Sequence, residues 1–228
     1  MTPAPLAGSV LGRIGEIQAP LPGAVSVLIG LLALAAVAVQ EFWLLLRHVN
    51  TIAHEGAHAL TGSAVGQRVQ RVTLAPNATG ATLMSGGKAA GVVTVGFIGY
   101  LGPSAFGLGA AKLIQVGHSV AVLWLTLLLL ALLLVVLRTV FSFVPVLIIG
   151  GLVYLVARYG SSGADTFTAY FGAWFLLLSG IRVVLDHGVN AADAGNLAAV
   201  TRVRPVFWVW LWMAGSVAAL IVGGALLV

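Results

Sequence analysis

Two histidines and a glutamate have the spacing of a metal-dependent hydrolytic centre. Within the segment 54–58, His54 and His58 are four residues apart and Glu55 follows the first of them. On a helix this spacing puts both imidazoles on one face, one turn apart, where their nitrogens can reach a single tetrahedral ion. Glu55 lies on an adjacent face, where its carboxylate can activate water as a general base. The pattern predicts a hydrolase that uses Zn²⁺.

A third ligand must come from elsewhere in the chain. A catalytic zinc usually takes three protein ligands and leaves a fourth position for water. Because the chain has no cysteine, that ligand must be an imidazole or a carboxylate. The candidates are Asp186, His187 and Asp193, which follow the sixth long apolar run. Asp165 is expected on the opposite surface, as a solvated carboxylate near Arg158.

The composition indicates which environment must position these groups. Of 228 residues, 60% are hydrophobic and 7% are charged, against about 25% charged in a soluble domain. A water-soluble fold is therefore excluded. The basic residues are scattered between apolar runs and form no cluster that would follow a phosphate backbone, so nucleic acid is excluded as a partner. We expect an all-α polytopic membrane protein.

The apolar runs divide the chain into an irregular tail, residues 1–22, and a single transmembrane domain, residues 23–228, which carries the predicted metal site. Runs of about 18 to 25 residues are long enough to cross a bilayer. They predict a bundle of about six to seven transmembrane helices. The run that carries His54 and His58 should face other protein, because ionisable groups are costly in lipid. The seven candidate spans are 23–40, 41–65, 89–111, 119–137, 139–157, 166–185 and 207–228.

The longest polar stretch, residues 66–88, follows the His-Glu-x-x-His helix directly. Two short segments with β-propensity, 69–74 and 81–84, flank a turn sequence at 76–80. This pattern predicts a short β-hairpin at the membrane surface.

The orientation follows from the distribution of Lys and Arg between the spans. With seven spans and a cytosolic N-terminus, eight basic residues face the cytosol and three face the other side. The N-terminus and the mouth of the active site are therefore both predicted to be cytosolic, in a multi-pass protein of the cell membrane. The eight are Arg13, Arg68, Arg71, Lys88, Arg138, Arg182, Arg202 and Arg204, and the three are Arg47, Lys112 and Arg158.

These features together resemble the site-2 protease family of intramembrane zinc metalloproteases. In that family the third ligand is an Asp within an Asn-Pro-Asp-Gly or Leu-Asp-Gly motif. The nearest match is the segment 190–195, which has Asn190 and Asp193 but lacks the proline and the glycine that directly follows Asp. The resemblance therefore implies Asp193 as the third ligand, with Asp186 as the alternative. The segment 99–103, Gly-Tyr-Leu-Gly-Pro, is also similar to a segment of short bacterial members.

The resemblance implies an intramembrane zinc endopeptidase that cleaves a transmembrane protein within the lipid bilayer. Asn190 is expected to bind the substrate backbone or orient a ligand, although a helix cap would explain it equally well. Two other functions fit the same residues: a non-proteolytic scaffold of this fold, and a transporter that moves protons or metal ions through His54, Glu55 and Asp193. Nothing in the sequence specifies an oligomeric state.

Overall fold

The computed structural model describes residues 10–228 of the chain. Within this range the backbone forms nine helices, one 3₁₀ turn and one antiparallel hairpin. In chain order they are α1 (Val10–Ile14), α2 (Gly23–Ala38), α3 (Gln40–Ala64), β1 (Arg68–Leu74), β2 (Gly80–Ser85), α4 (Ala89–Gln115), α5 (Ser119–Val136), α6 (Val140–Tyr159), α7 (Ser162–His187), the 3₁₀ turn (Gly188–Asn190), α8 (Ala192–Thr201) and α9 (Pro205–Leu227).

The predicted helical membrane bundle is confirmed, with one change in its spans. Among the described residues, α4, α5, α6, α7 and α9 are each long and apolar enough to cross a membrane. Helices α2 and α3 meet this standard only as a pair, bent by 98° at Val39. Residues 10–228 therefore contain five or six candidate spans instead of seven, because α2 has only 16 residues and α3 carries a row of ionisable groups.

The predicted hairpin is also confirmed, and it lies along α3. Its turn contacts the middle of α3, where Thr51 Oγ1 donates to the Ala78 carbonyl at 2.7 Å. Its open end lies near the end of the same helix, because a side chain on Gly62 would overlap Met84. The second strand therefore passes directly over Glu55.

Close helix packing brings α3, α4 and α7 together beneath the hairpin. A Cβ on Gly102 of α4 would overlap Ala57 of α3, and a Cβ on Gly180 of α7 would overlap Ser104 of α4. Small residues let helix backbones approach closely where the surroundings supply no hydrophobic driving force. This contact places the His54–His58 face of α3 against α4.

The end of the bundle away from the hairpin is crossed by the segment before α2. Gln18 N donates to the Gly117 carbonyl at 2.8 Å, in the α4–α5 connection. Leu21 N donates to Tyr170 Oη at 3.0 Å, on α7. The predicted irregular tail thus contains one short helix, α1, and its described part packs against the bundle, while residues 1–9 lie outside the described range.

Asp165 is buried, which corrects the expectation of a solvated carboxylate near Arg158. Its side chain is only 1% exposed, and Arg13 Nη2 donates to its Oδ2 at 2.5 Å. Asp165 lies in the first turn of α7, where the segment before α2 covers it. The physical reason is pairing: a carboxylate enters an apolar bundle only with a cation beside it.

The position of Arg13 also corrects the orientation argument. Arg13 lies at the same end as Lys112 and Arg158, the last-turn residues of α4 and α6. The described part of the N-terminal segment therefore lies at the end opposite the hairpin, so it does not share a side with the hairpin and α8. Seven of the eight basic residues predicted for the hairpin side remain there: Arg68, Arg71, Lys88, Arg138, Arg182, Arg202 and Arg204. Arg47, predicted for the other side, lies beside the hairpin turn, because Thr51 Oγ1 contacts both the Arg47 and the Ala78 carbonyls.

We expect Arg13→Ala to lower the free energy of unfolding by about 3 kcal/mol, because it leaves the Asp165 carboxylate buried without a cation. The double variant Arg13→Ala/Asp165→Ala should regain part of this loss. Apparent melting temperatures in detergent measure both effects. Strictly additive losses from the two single variants would show that the two side chains are not coupled.

Candidate metal centre

Three donor atoms meet between α3 and α8. His54 Nε2 and His58 Nε2 are 3.0 Å apart, because the two imidazoles occupy successive turns on one face of α3. Asp193 Oδ2 lies 3.2 Å from each of these nitrogens. Asp193 is the second residue of α8, so the fold closes a triangle of side chains from two distant parts of the sequence.

The dimensions of the triangle fit one metal ion. An ion that binds its ligands tetrahedrally at about 2.0–2.1 Å holds neighbouring ligand atoms about 3.3 Å apart, and the observed separations are 3.0 to 3.2 Å. Hydrogen bonds cannot account for all three contacts. Each Nε2 carries at most one proton, so at most two protons are available for three contacts. A single cation between the three atoms satisfies every one of them.

A hydrogen bond to α4 orients His58 for this role. Its Nδ1 lies 3.0 Å from the Val95 carbonyl oxygen. A carbonyl only accepts, so Nδ1 carries the proton and donates it. The neutral ring then presents an unprotonated Nε2 to the triangle, which is the tautomer that a metal requires.

Asp193 is held in its ionised form. Burial disfavours the carboxylate, but the two imidazoles of His54 and His58 beside it outweigh burial, and the pKa of Asp193 lies well below its ordinary value. Its place in the first turn of α8 adds the favourable field of a helix N-terminus. The carboxylate is thus ready to bind a cation without first losing a proton.

Glu55 lies beside the triangle and beneath the hairpin. Its side chain is only 4% exposed, and Thr82 Oγ1 donates to its Oε2 at 2.5 Å. The absence of a side chain at Gly80 leaves room for the carboxylate, because a Cβ there would come within 2.5 Å of Glu55 Oε1. The second strand therefore fixes the orientation of Glu55.

The triangle and Glu55 open onto one cleft of about 710 Å³. Strand β2 forms one wall, α8 forms the facing wall, and α3 and α4 form the floor. Asn50, His54, His58, Tyr100 and Asp193 supply much of its polar lining. The cleft is therefore large enough for a stretch of peptide beside the candidate ligands.

Gly99 permits the closest approach of α4 to the candidate ligands. A Cβ at this position would overlap the His58 ring and press on His54. In the sequence, Gly99 belongs to the segment similar to short bacterial members and is one of several small residues that would let helices approach closely. The structure gives it a specific role, which is to leave space for the two imidazoles.

The other predicted site residues lie outside the triangle. Asp186 lies near the end of α7 and points away from the triangle. It accepts hydrogen bonds from Arg182 Nε at 2.8 Å and from Trp43 Nε1 at 3.1 Å. His187 lines the cleft, and its Nδ1 lies 2.9 Å from the Val183 carbonyl oxygen. Asn190 is exposed in the 3₁₀ turn and also lines the cleft. The geometry thus brings Asp193, and not Asp186, to the two histidines.

Comparison with known proteins gives one match. A family model described as Peptidase M50B-like matches residues 27–223, which is most of the chain. The chain belongs to this peptidase family. The predicted relationship to the site-2 proteases is thereby confirmed. No curated protein and no solved structure matched the chain.

Membership in the M50B-like family makes the altered motif around Asp193 informative. Ala192 and Ala194 stand where the family motif has proline and glycine. Ala192 is the first residue of α8, a position that accepts proline or alanine with the same backbone geometry. Asp193 therefore reaches the histidines without the usual flanking residues.

The sequence did not point individually to three residues that the structure places around the candidate metal centre. Thr82 binds the Glu55 carboxylate, and Tyr100 and Trp212 form an aromatic wall next to His54. The alternation of the predicted strand could have shown that Thr82 shares a face with Gly80. No local pattern places Trp212 beside Tyr100, because their helices meet only in the folded chain.

We expect Asp193→Asn to reduce bound divalent metal from about one ion per chain towards none, because it replaces a charged ligand with a weaker neutral one. Asp186→Asn is the matched control and should keep its metal. Elemental analysis of the purified proteins measures both. Normal metal content in Asp193→Asn would exclude this carboxylate as a required ligand.

Proposed function

We propose that the protein is an intramembrane zinc endopeptidase that hydrolyses a peptide bond in a membrane-embedded substrate. The observation that carries this proposal is the triangle of His54, His58 and Asp193 beside a buried Glu55. It occurs in a chain of a peptidase family with at least five apolar spans. The cleft end, which carries most of the Lys and Arg residues, is proposed to face the cytosol.

Two imidazoles and one carboxylate favour zinc over the other common metals of hydrolases. Calcium and magnesium prefer six or more oxygen ligands, and thiolate-bound metals need cysteine. Two nitrogens and one oxygen, with a fourth position left open, match a catalytic zinc site. When bound, the ion supplies a Lewis acid that polarises the peptide carbonyl and lowers the pKa of water towards about 7.

Glu55 is proposed to move the protons of the reaction. Its carboxylate takes a proton from water as the water oxygen forms a bond to the peptide carbonyl carbon. The π electrons of the carbonyl move to its oxygen and give a tetrahedral intermediate. As the C–N bond breaks, Glu55 returns the proton to the amine nitrogen, and the products are a carboxylic acid and an amine. The hydrogen bond from Thr82 holds Glu55 in place for both transfers.

The substrate is proposed to enter as an extended strand beside β2. The outer edge of β1 is already occupied by the α5–α6 connection and the first turn of α6, since Arg138 N donates to the Val72 carbonyl and Leu74 N donates to Ser142 Oγ. All residues of β2 line the cleft. Strand addition to an open edge would expose peptide bonds that a helix conceals. Asn190, at the facing wall, is proposed to bind the substrate backbone.

The two other functions suggested by the sequence have less support. A scaffold that had lost its chemistry would not need Glu55 to be held beside three converging ligands. A transporter would use the same groups along a path through the bundle, whereas these groups converge on one cleft closed on one side by the hairpin. Neither alternative explains why Thr82 and Gly80 are fitted to the Glu55 carboxylate.

We expect Glu55→Gln to keep its zinc and to lose cleavage of a model transmembrane peptide by at least about 100-fold, because general-base catalysis contributes factors of this size. Glu41→Gln is the matched control, since Glu41 lies at the start of α3, away from the cleft. Zinc content and cleavage rate in proteoliposomes are measured together. Cleavage by Glu55→Gln at the wild-type rate would contradict the proposal.

Strand addition predicts a pattern of period two in the substrate. Successive backbone N–H groups of a strand point to opposite sides, so only alternate amides of the substrate face β2. Single N-methylation along a peptide substrate should therefore lower kcat/KM at alternate positions. Losses at every position, or only at the scissile bond, would contradict strand pairing.

A further inference from the structure

Tyr100 lies in the floor of the cleft, and the proposed chemistry does not use it. Its ring is 4.8 Å from the His54 ring, edge to face, and the residue is only 6% exposed. Among the described residues its hydroxyl has no hydrogen-bond partner, although the residue lines the cleft. The hydroxyl can therefore take a partner from the cleft, either water or a bound substrate.

The Tyr100 ring is fixed in position by Trp212. The two rings are stacked with centroids 4.4 Å apart and an angle of 22° between their planes. Trp212 is fully buried, and its Nε1 donates to the Phe97 carbonyl at 2.8 Å. The phenol is therefore held between a fixed indole and the His54 imidazole, so its hydroxyl has little freedom to reorient.

Most other side-chain donors around the cleft are engaged in hydrogen bonds or exposed, and the buried Gln67 lies at the open end of the hairpin. Asn50 Nδ2 donates to Ser179 Oγ at 2.9 Å, and Thr82 Oγ1 donates to Glu55. His187 Nδ1 lies against a carbonyl of its own helix, and both His187 and Asn190 are exposed. Tyr100 is the buried O–H group next to the candidate ligands without such a partner among the described residues.

We propose that Tyr100 is a catalytic residue whose hydroxyl donates a hydrogen bond to the oxyanion of the tetrahedral intermediate. This inference rests on the proposed peptidase function and deepens it. The charge on the former carbonyl oxygen appears only after water has added to the carbonyl carbon. A donor already aimed at that oxygen stabilises the transition state more than the substrate.

The Tyr100 proton is not transferred in this step. The water oxygen forms the new bond to carbon, Glu55 takes the water proton, and the carbonyl π electrons move to the oxygen. The phenol O–H shortens its hydrogen bond to that oxygen while the charge is present. When the C–N bond breaks, the electrons return to the carbonyl and the Tyr100 hydroxyl is unchanged.

The test is Tyr100→Phe, which keeps the ring that packs on His54 and Trp212 and removes only the hydroxyl. Loss of one oxyanion donor lowers kcat by roughly 100- to 1,000-fold. KM, zinc content and melting temperature should stay at their wild-type values. Tyr154→Phe is the matched control, because Tyr154 lies on α6 with 43% of its surface exposed. That variant should cleave at the wild-type rate.

A phosphinic peptide provides a second readout that a packing role would not change. Its tetrahedral, charged centre mimics the intermediate, so its affinity for Tyr100→Phe should fall by the same factor as kcat/KM. Equal cleavage rates for the wild type and Tyr100→Phe would overturn the role of Tyr100 alone. A lower rate with unchanged affinity for the phosphinic peptide would do the same. No Glu55-dependent cleavage by the wild type would overturn the peptidase function as well.

Discussion

Every ionisable group inside this bundle must find a partner, because an unpaired charge in an apolar environment costs several kcal/mol. At the candidate metal centre, His54, His58 and Asp193 contact one another, and one cation between them would be a partner for all three. At the opposite end, Asp165 meets this requirement with Arg13. These pairings explain where the chain departs from simple crossing helices, since α8 and the segment before α2 both bring a partner to a buried group.

The sequence was most informative where geometry is local. The four-residue spacing of His54 and His58 determined their common face, and the observed contact of 3.0 Å follows from it. The hairpin was predicted correctly because its turn residues and alternating strands are adjacent in the chain. Asp193 required the family resemblance, since it lies 135 residues from His58. Only the fold separates Asp193 from the alternative ligand Asp186, because Asp186 accepts hydrogen bonds from Arg182 and Trp43.

Two features could not be predicted because they depend on single residues or distant contacts. The 98° bend between α2 and α3 occurs at Val39, where one residue adopts an extended backbone and neither glycine nor proline marks the break. The hydrophobic pattern of the sequence shows no interruption at such a residue. The burial of Asp165 was also missed, because a loop carboxylate gives no sign of the arginine that covers it from about 150 residues away.

The hairpin has a consequence for where a substrate would be cut. The hairpin both holds Glu55, through Thr82, and offers the free edge of β2. A paired strand can move only in steps of two residues, or about 7 Å, if the same side chains are to face the cleft. The distance along the paired backbone would therefore set the cleavage position. The residues beside the scissile bond would matter less than the point where pairing begins.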